Sequence, residues 1–153
     1  MARVKLIFPD DIPLYTARIL VRIGDINYGG HVGNDAILSI IHEARMRMLG
    51  GKGYDELNVG GSAMIMADVM IAYKGEAFYG DELEVKIYAD EVTDKTFDLL
   101  YRITTMRDGK VAEIAHAKTG MVCFDYEARK VVQMGKELRE MLAPPGLPGG
   151  EEM

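Results

Sequence analysis

Residues that could exchange protons or polarise a ligand are concentrated between positions 21 and 45. Asp25, Asn27 and His31 come shortly before a helical pattern, and Glu43 lies inside it. The first N–H groups of a helix have no partner within the helix and carry the positive end of its dipole. Such an end can hold an anion or a developing oxyanion. This segment therefore predicts a site at the amino end of a helix.

Each of these residues also has a purely structural interpretation, which the sequence leaves open. Asp25 follows a glycine at the end of a strand and could simply stabilise a turn. Asn27 could hydrogen-bond its own loop, and His31 could brace the start of the helix. Glu43 could pair with a basic residue one turn away. A further carboxylate, Asp68, lies alone in an apolar segment, so it is either a site residue or a paired structural carboxylate.

Composition excludes several other kinds of chemistry. The single cysteine, Cys123, permits neither an internal disulfide nor a thiolate zinc cluster, and the three histidines lack metal-ligand spacing. The sequence contains no Gly-x-Ser-x-Gly elbow, P-loop or dinucleotide fingerprint. A net charge of −6 argues against binding to free nucleic acid. With no apolar run long enough to span a membrane, we expect a cytoplasmic protein.

The elements that must position these residues can be predicted from hydrophobic periodicity. We expect a strand over 15–23, a long helix that Asn34 or Asp35 caps and Gly50 and Gly51 end, and a strand over 62–74. Three more strands follow over 83–90, 97–103 and 111–125, with Asp108-Gly109 closing a hairpin. A short helix over 135–142 precedes a Pro/Gly-rich acidic tail, 144–153, that we expect to be disordered. The arrangement predicts an α+β domain over 1–143, with its last four strands in an antiparallel meander.

Two segments carry more apolar surface than one helix and one sheet would cover. The helix has a stripe of apolar residues at spacings of three and four, and further apolar residues, Leu38, Met46 and Leu49, among its polar ones. The strand over 62–74 is apolar on both faces and is therefore expected to be buried on both. The chain should associate with other subunits.

The segment from Asp25 to Arg45 resembles the hot-dog-fold acyl-CoA thioesterases of the 4-hydroxybenzoyl-CoA thioesterase-like type. The resemblance is carried by Asp25-Ile26-Asn27, Gly30-His31-Val32, Asn34 and Glu43-Ala44-Arg45, with Phe78-Tyr79-Gly80-Asp81 further on. Together with the order of elements, it covers about residues 12 to 130. It implies an antiparallel sheet wrapped around one long central helix.

The same resemblance implies an activity and an assembly. The activity is hydrolysis of an acyl-CoA to a carboxylic acid and free CoA, without a metal or organic cofactor, CoA being part of the substrate. The assembly is a homodimer joined edge to edge through the sheets, or a homotetramer, with acyl sites at the interface. Backbone N–H groups of Val32 and Gly33 would receive the oxyanion. Further substrate contacts are expected from Tyr28, Gly30, Asn34 and Asp68.

The sequence departs from the family at one decisive position. Asn27 stands where many members have the aspartate that attacks the thioester or activates water, and an amide cannot take up a proton at neutral pH. Either Asp25 or Glu43 then acts as the base while Asn27 and His31 orient the substrate, or the protein binds acyl thioesters without hydrolysing them. A dehydratase or hydratase using His31 is a third possibility, although the Gly-x-His-Phe-x-Gly type of motif is absent.

Overall fold

A computed structural model describes residues 4–145 and shows a sheet that curves around one long helix. The strands are β1 (Tyr15–Leu20), β2 (Met64–Tyr73), β3 (Glu82–Asp90), β4 (Thr96–Arg107), β5 (Lys110–Asp125) and β6 (Lys130–Val131). The helices are α1 (Asn34–Gly50) and α2 (Lys136–Leu142), and a short 3-10 helix covers Ile23–Asp25. The expected α+β architecture is confirmed. Most of the proposed acidic tail, residues 146–153, lies outside the described residues.

The strand order is β1-β3-β4-β5-β2, with every pair antiparallel and the short β6 beside β5. The expectation of a four-strand meander is therefore wrong for β2, which pairs with β5 and not with β3. The chain leaves β2 at one edge and crosses the end of the barrel-like sheet through residues 74–81 before it enters β3. This crossover passes the amino end of α1, where the Val32 N–H donates to the carbonyl of Ala77 at 2.8 Å.

Local sequence explains the β4–β5 hairpin. Asp108 and Gly109 have φ angles of 55° and 75°, the left-handed values that a two-residue type I′ turn requires at both positions. The alternating apolar residues of β3 and β4 face α1 and are buried, whereas their polar neighbours face the outer side of the sheet.

The apolar stripe of α1 forms the centre of the core. Ile37, Ile40, Ile41, Ala44 and Met48 are all buried, as their spacing predicts. Leu49 and Arg45, which the sequence pattern groups with the polar side, are buried as well. Leu38 remains 38% exposed and one side of the helix is open, so the expected cover on more than one side is not complete within one chain.

Arg45 is buried because it belongs to a polar network that links α1 to the sheet. Its Nε donates to Glu56 at 2.5 Å, its Nη1 donates to the Tyr101 hydroxyl at 3.1 Å, and that hydroxyl lies 2.8 Å from Thr119 Oγ1. Burial alone would lower the pKa of Arg45, but its hydrogen bonds to Tyr101 and Glu56 and the negative charge of Glu56 outweigh it and raise the pKa. Burial also raises the pKa of Tyr101. The phenol therefore stays protonated and bridges the network.

The strand β2 is an edge strand and is not buried on both faces within one chain, so the expected burial would need another subunit. Within the described residues it pairs on one side, with β5, and Met66 and Val69 are each 40% exposed. A β-bulge between Met66 and Asp68 changes the alternation of its side chains. Met66 and Val69 pair with Met121 and Thr119, which are buried on the helix side. Asp68 is turned to the opposite face as a result.

Candidate active site at the amino end of α1

A tight loop delivers the chain from the 3-10 helix to the start of α1. Ile26 and Val32 form an isolated antiparallel bridge, and the Asn27 N–H donates to the His31 carbonyl at 2.9 Å. Gly30 closes this loop with a φ of 87°, a conformation that favours glycine. The backbone conformation of the loop is therefore enough to explain a glycine at this position. Tyr28 lies at the tip with its side chain fully exposed.

The amino end of α1 has no side-chain cap. Its N-cap residue is Gly33, whereas the sequence predicts a cap at Asn34 or Asp35. The two N–H groups expected to receive an oxyanion are already used, since that of Val32 donates to the Ala77 carbonyl and that of Gly33 to the Asp25 carbonyl at 3.1 Å. The N–H groups of Asn34 and Asp35 have no acceptor among residues 4–145. These two amides, and not the predicted pair, are available to an oxyanion.

Asn27 and Asp35 both lie close to Gly33 at this helix end. A Cβ added to Gly33 would lie 2.7 Å from Asp35 Oδ1 and 3.6 Å from the Cβ of Asn27, so the glycine makes room for both side chains. Asn27 Oδ1 accepts the N–H of Gly29 at 2.9 Å. This bond leaves the Asn27 amide nitrogen as a donor beside the free helix amides. Asp35 lies at this helix end, and the sequence argument considered it only as a helix cap.

His31 is held in one tautomer by the backbone. Its Nδ1 lies 3.0 Å from the carbonyl oxygen of Val32. A carbonyl oxygen can only accept, so in the neutral ring Nδ1 carries the proton and Nε2 keeps its lone pair. Nε2 lies 3.7 Å from Glu76 Oε2, in the crossover between β2 and β3. This arrangement suits a general base whose protonated form is stabilised by a carboxylate.

A cavity of about 120 Å³ lies between the start of α1 and the end of β2, next to His31. His31 and Glu76 line one part of it, and Asn34 and Tyr73 another. The Tyr73 hydroxyl donates to the Asn34 carbonyl at 3.2 Å and so ties β2 to the helix end. Neither Tyr73 nor Glu76 stands out in the sequence, because the end of β2 and the crossover after it bring them to the site from a distant part of the chain.

Asp25 lies on the other side of the helix end and holds a turn. It is 9% exposed and closes the 3-10 helix, where its Oδ2 accepts the Arg22 N–H at 2.9 Å. Only residues 23–25 are helical and Ile26 after them is extended, but the Asp25 carboxyl is directed into the turn, toward Arg22. Asp25 borders a groove of about 400 Å³ together with Glu43. The structure therefore separates Asp25 from the cavity that contains His31.

Glu43 and Asp68 are also away from that cavity. Glu43 accepts from Arg47 Nε at 2.7 Å, one helical turn along, and its side chain is 54% exposed. Asp68 faces the outer side of the sheet, where its Oδ1 lies 3.1 Å from Lys118 Nζ. On that outer face burial raises the pKa of Asp98, Lys118 opposes the shift, and Asp68 adds to it. Glu43 and Asp68 thus have the contacts of paired surface carboxylates.

Two further observations concern residues 4–145 as a whole. No group of three or more histidine, cysteine or acidic side chains in this part of the chain is arranged to hold a metal ion. None of its helices has the length and apolar character needed to cross a membrane.

Comparison with known proteins agrees with this architecture. A sequence model of the thioesterase-like superfamily matches residues 21–142. The 1,4-dihydroxy-2-naphthoyl-CoA thioesterase from Synechocystis is similar in structure, with a TM-score of 0.74 at 22% identity, over 84% of this chain and 94% of that one. The gentisyl-coenzyme A thioesterase BH1999 gives a TM-score of 0.70 at 20% identity, over 84% and 100%. The dynemicin thioesterase gives 0.72 at 20% identity, over 84% and 94%.

The chain therefore belongs to the thioesterase-like superfamily and has the hot-dog fold, with its sheet wrapped around α1. This confirms the resemblance that the motifs indicate. At these identities the similar structures support the fold and not a particular substrate. A search of curated proteins by sequence finds no significant match.

Proposed function

We propose that the protein hydrolyses acyl-CoA thioesters to carboxylic acids and free CoA, with His31 as the general base. The observation that carries this proposal is the contact between His31 Nδ1 and the Val32 carbonyl, beside the uncapped start of α1. It supplies a base in a fixed tautomer next to unpaired amides, which are the two components that attack of water on a thioester requires. The base is neither of the two expected carboxylates, Asp25 or Glu43.

In the proposed reaction the thioester carbonyl is held by the N–H groups of Asn34 and Asp35. His31 Nε2 takes a proton from water as the water oxygen attacks the carbonyl carbon, and Glu76 stabilises the imidazolium that forms. The negative charge on the tetrahedral intermediate lies at the amino end of α1, where the helix dipole favours it. The C–S bond then breaks, and the sulfur leaves as a thiolate or takes up the proton from His31.

Asn27 has an orienting role in this scheme. Its amide nitrogen is free to donate because its oxygen is held by the Gly29 N–H. A donor at this position can hold the substrate carbonyl or the attacking water but cannot remove a proton. The loss of an aspartate at position 27 is therefore compatible with hydrolysis when the base is supplied by His31. No metal or organic cofactor enters the scheme, and CoA is part of the substrate.

We further propose that two copies associate through β2. The two sheet edges differ, since the β1 edge is occupied by Arg47, whose Nη1 donates to the Arg18 carbonyl at 3.0 Å. The β2 edge carries exposed apolar side chains and backbone groups available for pairing. A second copy on this edge would cover Met66, Val69 and Tyr73 and enclose the cavity next to Asn34. A homodimer is the simplest such assembly, and two dimers could form a homotetramer.

A thiol-release assay over short, long and aromatic acyl-CoAs tests the hydrolytic proposal. We expect free CoA to be released from at least one substrate class at a rate far above that of the buffer alone. Binding of acyl-CoA without release of CoA would overturn the proposal in favour of a non-hydrolytic acyl-thioester-binding protein. Addition of water to an enoyl-CoA, with the thioester intact, would identify a hydratase instead.

A further inference from the structure

A groove of about 410 Å³ lies along α1 on the side of β2. Its floor includes Met64, which is 2% exposed, and its rim includes Leu38 and Met66, at 38% and 40% exposed. Tyr126 borders it at the far side and is 42% exposed. Methionine side chains are flexible and polarizable, so a groove lined by them adapts to apolar ligands of different shape.

The groove begins near the proposed site of thioester attack. Asn34, Leu38 and His42 follow one another at spacings of four residues and lie on one face of α1. The distance along the helix from Asn34 to His42 is about 12 Å, at about 1.5 Å per residue. On the side of β2, Tyr73 contacts Asn34 at the start of this helix face, and Met66 borders the groove near His42 at its end. A thioester carbonyl bound at Asn34 would direct its acyl group along this face.

The far end of the groove is polar, but its charged residues Arg45 and Glu56 form an ion pair and largely cancel each other's charge. Glu56 accepts from Arg45 Nε at 2.5 Å, and its other oxygen lies 3.5 Å from His42 Nε2. All three residues line the groove, and the side chain of Glu56 is 26% exposed. Because Glu56 offsets the charge of Arg45, this end offers hydrogen-bond partners without a strong preference for an ionised ligand. A hydroxyl, which can both donate and accept, matches such an end.

We infer that this groove binds the acyl group of the substrate and selects acyl chains of medium length that carry a hydroxyl group near the far end. The inference rests on the proposed function, since it places the thioester carbonyl at Asn34. Leu38 and Met66 contact the chain, and His42 with Glu56 receives the hydroxyl group.

Rates of thiol release from three substrates test the inference. We expect kcat/KM to be higher for octanoyl-CoA than for butyryl-CoA. We expect it to be about three- to tenfold higher again for ω-hydroxyoctanoyl-CoA, because one added hydrogen bond stabilises the bound substrate by about this factor. His42→Leu should remove the preference for the hydroxylated chain while octanoyl-CoA is still hydrolysed. The His42 side chain is 55% exposed, so this variant should fold, and a melting curve verifies that it does.

Two further variants test the position of the acyl chain. Leu38→Trp fills the groove and should lower kcat/KM for octanoyl-CoA at least about tenfold, with butyryl-CoA much less affected. Leu20→Trp makes the same change in the groove on the other side of α1, where Leu20 is 58% exposed, and should affect neither substrate. An equal loss for both substrates in Leu38→Trp, or the same loss in Leu20→Trp, would overturn the inference.

The outcomes separate this inference from the proposed function. Equal rates of the unmodified protein on all three substrates would refute the groove as a selective acyl site and leave thioester hydrolysis intact. If no thioester is hydrolysed, calorimetry with a non-hydrolysable octanoyl-CoA thioether tests the groove by itself. Binding should then be weaker for Leu38→Trp than for Leu20→Trp, and equal binding would refute the inference.

Discussion

Replacing His31 by glutamine removes the proposed base while keeping a polar side chain at the amino end of α1. Glutamine does not take up a proton at neutral pH, so the chemical step loses general-base assistance. Such assistance is typically worth about 10²–10⁴ in rate, or about 3–5 kcal/mol of transition-state stabilisation. We expect kcat to fall by this factor while KM changes little, because the amides of Asn34 and Asp35 still hold the substrate.

Removing the charge of Glu76 should have a second, smaller effect on the rate, which can be calculated from the distance between Glu76 and His31. Its carboxylate lies 3.7 Å from His31 Nε2 and its side chain is 64% exposed, so the attraction is screened close to the value in water. At this separation Coulomb's law gives about 1 kcal/mol, which corresponds to a fivefold to tenfold change in rate. Glu76→Gln should therefore reduce kcat by about this factor, far less than His31→Gln.

The assay is steady-state release of CoA, with His116→Gln as the matched control. His116 undergoes the same chemical change on the outer face of the sheet, where its Nε2 contacts Glu113 at 2.8 Å, and should not alter kcat. Nitrogen NMR of the imidazole checks the tautomer that the Val32 contact imposes, with the proton on Nδ1 and the lone pair on Nε2. Retention of kcat within about twofold in a folded His31→Gln protein would refute the reasoning, given the usual size of general-base effects.

The remaining predictions concern groups outside the His31 cavity. Asp25→Asn and Glu43→Gln should each leave kcat for thiol release nearly unchanged. The first variant still offers an amide oxygen that accepts the hydrogen bond of the turn, and the second variant loses only an exposed ion pair worth about 0.5 kcal/mol. A large fall in kcat for either variant would show that its carboxylate takes part in hydrolysis. Tyr101→Phe should cost about 1–3 kcal/mol by unpairing buried donors, and lower Tm by about 2–12 °C in calorimetry; an unchanged Tm would argue against the network. Asp98→Asn should raise Tm slightly at pH 7, where the partly buried carboxylate is ionised at a cost, because burial raises its pKa. The advantage should be lost near about pH 3, where aspartate is protonated in both states, and an advantage that persists in acid contradicts this. Val69→Lys should convert dimers into monomers in analytical ultracentrifugation, because it places a charge on the proposed edge; an unchanged mass would exclude β2 as the interface.

Local patterns predict the elements of this fold well, because they depend on neighbouring residues. The apolar stripe of α1 gives both its length and its buried face, and Asp108-Gly109 gives the β4–β5 turn. The order of strands does not follow from such patterns, since pairing of β2 with β5 depends on contacts between residues far apart in the chain. An apolar strand sequence is likewise compatible with a buried position and with an edge that another subunit covers.

The candidate site could be located but not assembled from the sequence. His31 and Asn34 lie at the expected helix end, whereas Glu76 reaches it through the crossover, which no local pattern predicts. Asp25 turns away because residues 23–25 form a 3-10 helix in place of an extended strand. Asp68 would face the helix if β2 alternated regularly, but the bulge after Met66 reverses its direction.

The position of β2 also has a consequence for the way the chain folds during synthesis. β2 emerges from the ribosome directly after α1, but its partner β5 is made only after β3 and β4. Pairing over such a sequence separation is slow, and an apolar strand that waits for its partner can aggregate. Because an open groove separates much of β2 from α1, the helix gives the waiting strand little shelter, so variants that make β2 more apolar should lower the yield of folded protein more than they lower its final stability.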